Sequence, residues 1–412
     1  METVQLRCVH GLGFVWVMVL TVLGLVAAPA CAQWGMGMGG DAMQLAVGRE
    51  SVDRYAEILG FDDVQRDTAL MLHSDYLDQF KSANDTFTDA MQRLQEEVGQ
   101  SGDWQKMMKP MGTIMLGFFD RLDTLEDTFF SDLKMLAMEP AQEAAFVRVE
   151  RARRRETVGM AGQMATISGA TIDLHEIARE VEVSGNDEAR EALLAYEVEI
   201  DAVNTKLIDA AFGMMRDNFE RMKNMDDDDE SMGFNAEAME KMQQSMADMR
   251  EFGTQGKSIN ARYARQIMQL LPSERQAEWD REVKRRTWPA VYRDSSVERQ
   301  LEAASDLDDL SAAQRESLSA VRQSYDREAT PINERWAKAI DAQQASQEGG
   351  GWWGWGGDTS EVDEIEAERK ALDERFVERV RSVLTADQLE SMPEVGGSGF
   401  DADAVLRQFG GG

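Results

Sequence analysis

Cysteine is almost missing from this chain: the two present, Cys8 and Cys31, both lie near the N-terminus. That segment reads as a leader to be removed, so the remaining chain can form no disulfide and must be stabilised by packing. Histidine is nearly as scarce, with His73 and His175 the only ones beyond His10. A Cys/His zinc cluster is thereby excluded, and a His-dependent triad has few candidates. Proline is rare, at 7 of 412 residues, and no run alternates Val, Ile and Thr, so nothing reads as a strand. There is no P-loop and no dinucleotide fingerprint, so neither nucleotide nor other cofactor is expected. Basic residues are outnumbered, 44 against 76 acidic ones, for a net charge of -32. Nucleic acid or an anionic lipid surface would be repelled as a main partner.

The first apolar run, Leu12 to Ala28, is followed by Ala30-Cys31-Ala32, the small-x-small form of a signal-peptidase site. Residues 1–32 read as a signal peptide cleaved after Ala32, which predicts a periplasmic or secreted protein beginning at Gln33. A retained anchor is the competing reading, because the run is nearly long enough to span a bilayer. Lipidation at Cys31 is disfavoured by the poor box Ala28-Pro29-Ala30.

What is plentiful is periodic apolar residues within a hydrophobic content of 43%. Leu70, Leu77, Met91 and Val98 follow a heptad line, with Phe80, Phe87 and Leu94 beside it; His73 and Asn84 interrupt these lines. His73 reads as a hydrogen-bonded seam residue. Leu193, Ile200, Leu207 and Met214 repeat the seven-residue step, as do Val362, Phe376 and Val383 with Ile365 and Leu372. These are long two-faced helices that need partners.

Helix starts punctuate them. Thr385 with Gln388 is a capping box, in which each residue's side chain accepts the other's backbone N–H, and Leu384 with Leu389 supplies a hydrophobic staple. Asp62 with Gln65, Ser184 with Asp187, and Ser311 with Gln314 precede one set of long helices. Glu139 with Gln142, Ser273 with Gln276, and Thr385 with Gln388 follow another set. The first caps recur about every 125 residues, at 62, 184 and 311, which suggests a threefold internal repeat. Phe130, Tyr263 and Phe376 stand eight residues before Met138, Leu271 and Leu384, with the cap at Ser273 one residue late, and Phe146 and Trp279 follow two of the caps. The expected fold is all-α, three tandem long helical hairpins in an extended bundle. The boundaries read as a flexible segment at 33–50, hairpins at 51–160, 161–295 and 296–395, and a Gly-rich tail at 396–412. Pro331 is expected to kink or restart the first arm of the third hairpin.

The stretches "LTADQ" at Leu384 to Gln388 and "LSAAQ" at Leu310 to Gln314 resemble the LTxxQ-motif family, the Spy- and CpxP-like helical proteins of the bacterial periplasm. The match is best over Leu307 to Met392. Asp62 to Gln65 and Met138 to Gln142 look similar, and the middle copy departs most. The resemblance implies a non-enzymatic, ATP-independent chaperone or stress adaptor that binds unfolded or partner proteins. Family members dimerise into a cradle; three hairpins in one chain could build such a concavity internally. Family cradles tend to be basic on the concave face. Here positive charge would have to come from Arg148 to Arg155 and Arg281 to Arg286, although pairing of these arginines with the many nearby carboxylates is the favoured reading.

Candidate client contacts are the aromatics of the expected hairpin tips, Trp104, Phe234, Trp352, Trp353 and Trp355, the last three in "GGGWWGWGG". Their alternatives are folding back onto the bundle or self-association. Met239, Met242, Met246 and Met249 form one helical stripe, read as core or as an adaptable groove. A copper(I) thioether site is a lesser alternative, better placed in "WGMGMGGDAM". The run Asp226 to Glu230 lacks calcium-loop spacing, so no metal is expected there. A coiled-coil spacer or homo-oligomeric scaffold is the alternative function, and an enzyme the third, since no acidic pair is singled out by spacing.

Overall fold

The computed structural model describes residues 46–98, 104–165, 167–225, 236–346 and 359–392, and every regular element among them is helical. The expected leader at 1–32, the expected tail at 396–412, the run Asp226 to Glu230, Phe234, Trp352, Trp353 and Trp355 lie outside the described residues. The α-helices are α1 (Arg49–Leu59), α2 (Asp63–Val98), α3 (Trp104–Leu136), α4 (Pro140–Ala165), α5 (Leu174–Glu180), α6 (Asp187–Lys223) and α7 (Ala236–Leu270). They continue with α8 (Ser273–Thr287), α9 (Pro289–Tyr292), α10 (Ser296–Ser305), α11 (Ala312–Ser346), α12 (Ser360–Val383) and α13 (Ala386–Ser391). No helix among the described residues is long and apolar enough to cross a membrane.

The chain divides into two compact units, one of Met1–Thr157 with Ile208–Ser245, the other of Val158–Leu207 with Met246–Gly412. In the first, α1 stops at Gly60, whose φ of 64° is open to glycine without strain; Gly60 N–H reaches Glu57 O and Phe61 N–H reaches Ala56 O. That turn delivers the chain to α2, 36 residues and so about 54 Å long. Its buried stripe, Ala69, His73, Tyr76, Phe80, Phe87 and Leu94, advances by three, four or seven residues, and Leu70 and Leu77 flank it half-buried. α3 packs antiparallel on this stripe: Phe118 stacks on Phe87 with ring centres 4.4 Å apart, and Phe129 meets Tyr76 at 5.2 Å. Burying each such aromatic contributes about 1.5–3 kcal/mol. His73 Nε2 lies 2.8 Å from Val47 O, so the histidine that breaks the heptad is a satisfied core residue.

Farther along, Phe87, Met115, Leu116 and Phe118 form a second core with Phe219 of α6, rimmed by Met91, Met111, Met215 and Met222. Glycine is required at 112, because a Cβ there would stand 2.6 Å from Phe219 O and from Lys223 N. No sequence periodicity announces such a close approach.

In the second unit, Tyr196 of α6 donates to Asn260 Oδ1 of α7 at 3.0 Å, and its ring meets Tyr263 at 5.5 Å. Trp279 of α8 is fully buried in the same core and donates through Nε1 to Ala264 O at 2.9 Å. α11 and α12 pair antiparallel, with Tyr325 against Phe376 at 5.3 Å. Pro331 does not restart α11, which runs unbroken from Ala312 to Ser346. The exposed proline faces solvent while Ala329, Ile332 and Trp336 around it are buried in the hairpin core, so packing holds the helix across the missing N–H.

Candidate functional site: the glutamine clasps and the exposed apolar residues beside them

Three of the expected helix starts close as reciprocal boxes, and Ser295 with Glu298 adds an unexpected one at α10. Asp62 Oδ1 accepts from Gln65 N–H at 2.8 Å while Gln65 Oε1 accepts from Asp62 N–H at 3.1 Å. Ser311 with Gln314 and Thr385 with Gln388 repeat the arrangement. At Glu139 the return bond is seen, its N–H donating to Gln142 Oε1 at 3.3 Å. Of the staple, Leu384 is buried and Leu389 is exposed.

The capping glutamines have a second task, because each box uses only the amide oxygen and leaves the NH₂ free to bond elsewhere. Gln65 Nε2 donates to Leu136 O at 2.7 Å and to Gln142 Oε1 at 3.2 Å; Gln142 Nε2 returns to Gln65 Oε1 at 3.1 Å and reaches Gly60 O at 3.4 Å. In the second unit, Gln314 Nε2 donates to Val383 O at 3.0 Å and to Gln388 Oε1 at 2.7 Å. Each pair therefore ties a helix start to the last turn of the antiparallel partner and supplies N–H donors to carbonyls that the helix itself cannot satisfy. Gln314→Leu removes both donors and one half of the box, and is expected to destabilise by about 1–3 kcal/mol. Urea denaturation checks this, and Gln314→Leu with Gln388→Leu together should cost less than the sum of the singles.

Two of the expected caps are elsewhere. Ser184 lies in a 3₁₀ turn, Val183–Gly185, and α6 is capped by Asn186, whose Oδ1 accepts from Ala189 N–H at 2.9 Å. Asp187 is the first residue of α6, and Asn186 Nδ2 donates to Leu270 O at 2.6 Å, so one short side chain caps and clasps together. Ser273 is the first residue of α8, after Pro272, and Gln276 Nε2 closes on Leu271 O at 2.9 Å. Asn186 was legible from its residue type before an acidic first turn.

Each of α2, α6 and α11 also carries a buried tyrosine, Tyr76, Tyr196 and Tyr325, that no sequence motif marks. Tyr76 OH accepts from Val47 N–H at 3.3 Å, Tyr196 OH, which also faces Asn260 Oδ1, lies 3.1 Å from Ile172 O, and Tyr325 OH donates to Asp373 Oδ1 at 2.7 Å. Val47 and Ile172 stand just before α1 and α5, so these two phenols fasten the start of a short helix to a long arm. In the first unit Tyr55 OH donates to Glu156 Oε2 at 2.7 Å, beside Arg153, which holds Glu126 through Nε and NH2 at 2.9 and 2.7 Å. Burial pushes the Tyr55 and Tyr325 phenols above the ordinary value of 10.0, and Glu156 and Asp373 respectively push the same way. The folded chain thus holds these protons more tightly than the unfolded one, so stability is intact below about pH 10 and falls as pH rises through the folded values. Absorbance at 295 nm is expected to show these phenolates appearing only together with loss of helicity.

The other expected contact residues divide. Trp104 opens α3, at the start of a helix. Met249 is buried, Met242 and Met246 are half-buried and Met239 is exposed, so that stripe grades from core to surface. The basic clusters form no free cationic face: besides Arg153, Arg286 pairs with Glu176 and Glu180, Lys284 with Asp280 and Arg285 with Glu282. Among the described residues no group of His, Cys, Asp or Glu is arranged to hold a metal. A cleft of about 420 Å³ between α11 and α12 is walled by Arg335, Lys338, Glu361, Glu364 and Glu368, with Arg335 and Glu368 already paired.

The most exposed large apolar side chains gather by sequence around the first clasp. Val64 precedes Gln65, Met135 and Met138 flank Leu136, and Met71 lies two turns beyond Val64 on the same helix face; their exposures are 74%, 69%, 79% and 62%. Leu194 and Val198 form a smaller exposed pair on α6. A hydrogen-bonded scaffold carrying exposed Met and Val can bind apolar surface. No protein-family model, curated protein or solved structure matches the chain.

Proposed function

We propose that the protein is an exported, non-enzymatic binder of unfolded or partner proteins in the cell envelope, built as three tandem helical hairpins and working without nucleotide, as the resemblance to the LTxxQ-motif family implies. The observation that carries this reading is the group of exposed apolar residues, Val64, Met71, Met135 and Met138, beside a clasped helix end. Methionine is flexible and polarizable, so it adapts to varied apolar partners at little cost. Transient burial of a client's apolar segments lowers the concentration of sticky surface and slows aggregation.

The purified chain is expected to suppress thermal aggregation of a model client at near-stoichiometric ratio, read by light scattering. Val64, Met71, Met135 and Met138 replaced together by Gln should abolish most of that effect, and deletion of 349–357 should reveal any share of the tryptophan segment. Unchanged scattering at several-fold excess of the intact chain would sink the proposal. The length of α2, α6, α7 and α11, 35 to 37 residues each, favours a second reading as an envelope spacer or homo-oligomeric scaffold. Sedimentation then shows a single stable assembly and no client complexes.

A further inference from the structure

The chain has 26 methionines against 2 cysteines, and its described residues contain no cysteine at all. Within that region methionine is the only oxidisable sulfur. Three of the four strongly exposed methionines, Met71, Met135 and Met138, belong to the group beside the Gln65 clasp, whereas Met115 and Met249 are sealed at 3% and 1%. Their environments are opposite in a way that matters to oxygen transfer. A thioether in water is open to attack by an oxidant, and its sulfoxide stays hydrated without disturbing a core; a buried thioether is screened, and its oxidation would place a polar S=O among Phe and Leu.

We propose that Met71, Met135 and Met138 form an oxidant-responsive surface, modified by hydroperoxides. A sulfur lone pair on Sδ attacks the distal peroxide oxygen, the O–O bond breaks, and the thioether becomes a sulfoxide as hydrogen peroxide is reduced to water. The sulfur gives up two electrons and the peroxide accepts them. Each event replaces an apolar thioether with a strong acceptor, so these positions change from apolar to polar, while the neighbouring clasp, built from Gln, Asp and backbone groups, contains no sulfur to oxidise. Sulfoxide reductases reverse the change. As regulation of the proposed binding surface, the inference rests on that reading for its consequence, but not for its chemistry.

Limited hydrogen peroxide treatment of the intact chain, followed by peptide mapping, is expected to place sulfoxide on Met71, Met135 and Met138 at least about tenfold faster than on Met115 and Met249, with helicity unchanged. Binding of an anilinonaphthalene sulfonate dye should fall on treatment, and the Met71→Leu, Met135→Leu, Met138→Leu variant, apolar but inert to peroxide, should keep its dye binding. Equal oxidation of buried and exposed methionines, or an equal loss of dye binding in the leucine variant, would overturn the inference. If the untreated chain fails to suppress client aggregation while the map and the dye follow expectation, the binding proposal falls and the oxidation chemistry stands.

Discussion

Arg369→Met lowers stability by about 3–5 kcal/mol, the usual effect of stranding one partner of a buried ion pair. Arg369 and Asp373 stand one turn apart on α12, with side chains only 8% and 6% exposed. The guanidinium donates through Nε to Asp373 Oδ1 at 2.9 Å, and its two other nitrogens reach Asn333 Oδ1 and Tyr325 OH. Tyr325 OH donates in turn to the same Asp373 oxygen at 2.7 Å. Burial alone would lower the guanidinium's pKa, but Tyr325 and Asp373 outweigh it and hold the value above the ordinary one, so the charge is maintained. Without Arg369 the Asp373 carboxylate remains buried with the Tyr325 hydroxyl as its donor. Arg369→Met with Asp373→Leu removes both charges and should recover most of the loss, since apolar replacements of a buried pair are often neutral. Urea unfolding followed by circular dichroism makes the comparison. A single variant within about 1 kcal/mol of the native chain would mean that the pair is hydrated rather than sealed.

Trp279→Ala is expected to cost a similar amount, about 3–5 kcal/mol, through loss of apolar burial and the cavity left behind. Trp279 is 1% exposed and lies in one core with Tyr263, Ile267 and Leu271, so α8 is held to α7 largely by this ring and its bond to Ala264 O. Trp279→Phe keeps much of the apolar contact but not the donor, and should cost roughly a third to a half as much. If alanine and phenylalanine cost the same, the hydrogen bond rather than the ring volume holds α8 in place. Thermal unfolding of the two variants separates these outcomes.

Much of the local design was readable in the residues. Thr385, Ser311 and Asp62, each followed three positions later by Gln, announce helix starts because Oγ or Oδ1 and Oε1 can satisfy two N–H groups that a helix end leaves open. The heptad lines of α2, α6 and α12 mark the core faces. The clasps were less legible, since a capping box accounts for the glutamine oxygen alone. That Nε2 of Gln65 finds Leu136 O, 71 residues away, depends on how α2 and α3 dock. Asn186 lies outside the capping-box pattern, which needs a partner three residues on, because this one side chain caps and clasps by itself. No sequence motif singles out Arg369; its burial follows from the packing of α11 against α12.

By itself the amino-acid sequence determined the helical class, the starts of α2, α11 and α13 and the apolar stripes, because capping and 3.6-residue periodicity are short-range consequences of residue type. Tertiary structure decided which glutamines meet, which tyrosines fasten which short helices, where Gly112 is indispensable and which methionines stay in water. Those outcomes depend on distances between residues far apart in the chain, and such distances exist only once the helices have packed.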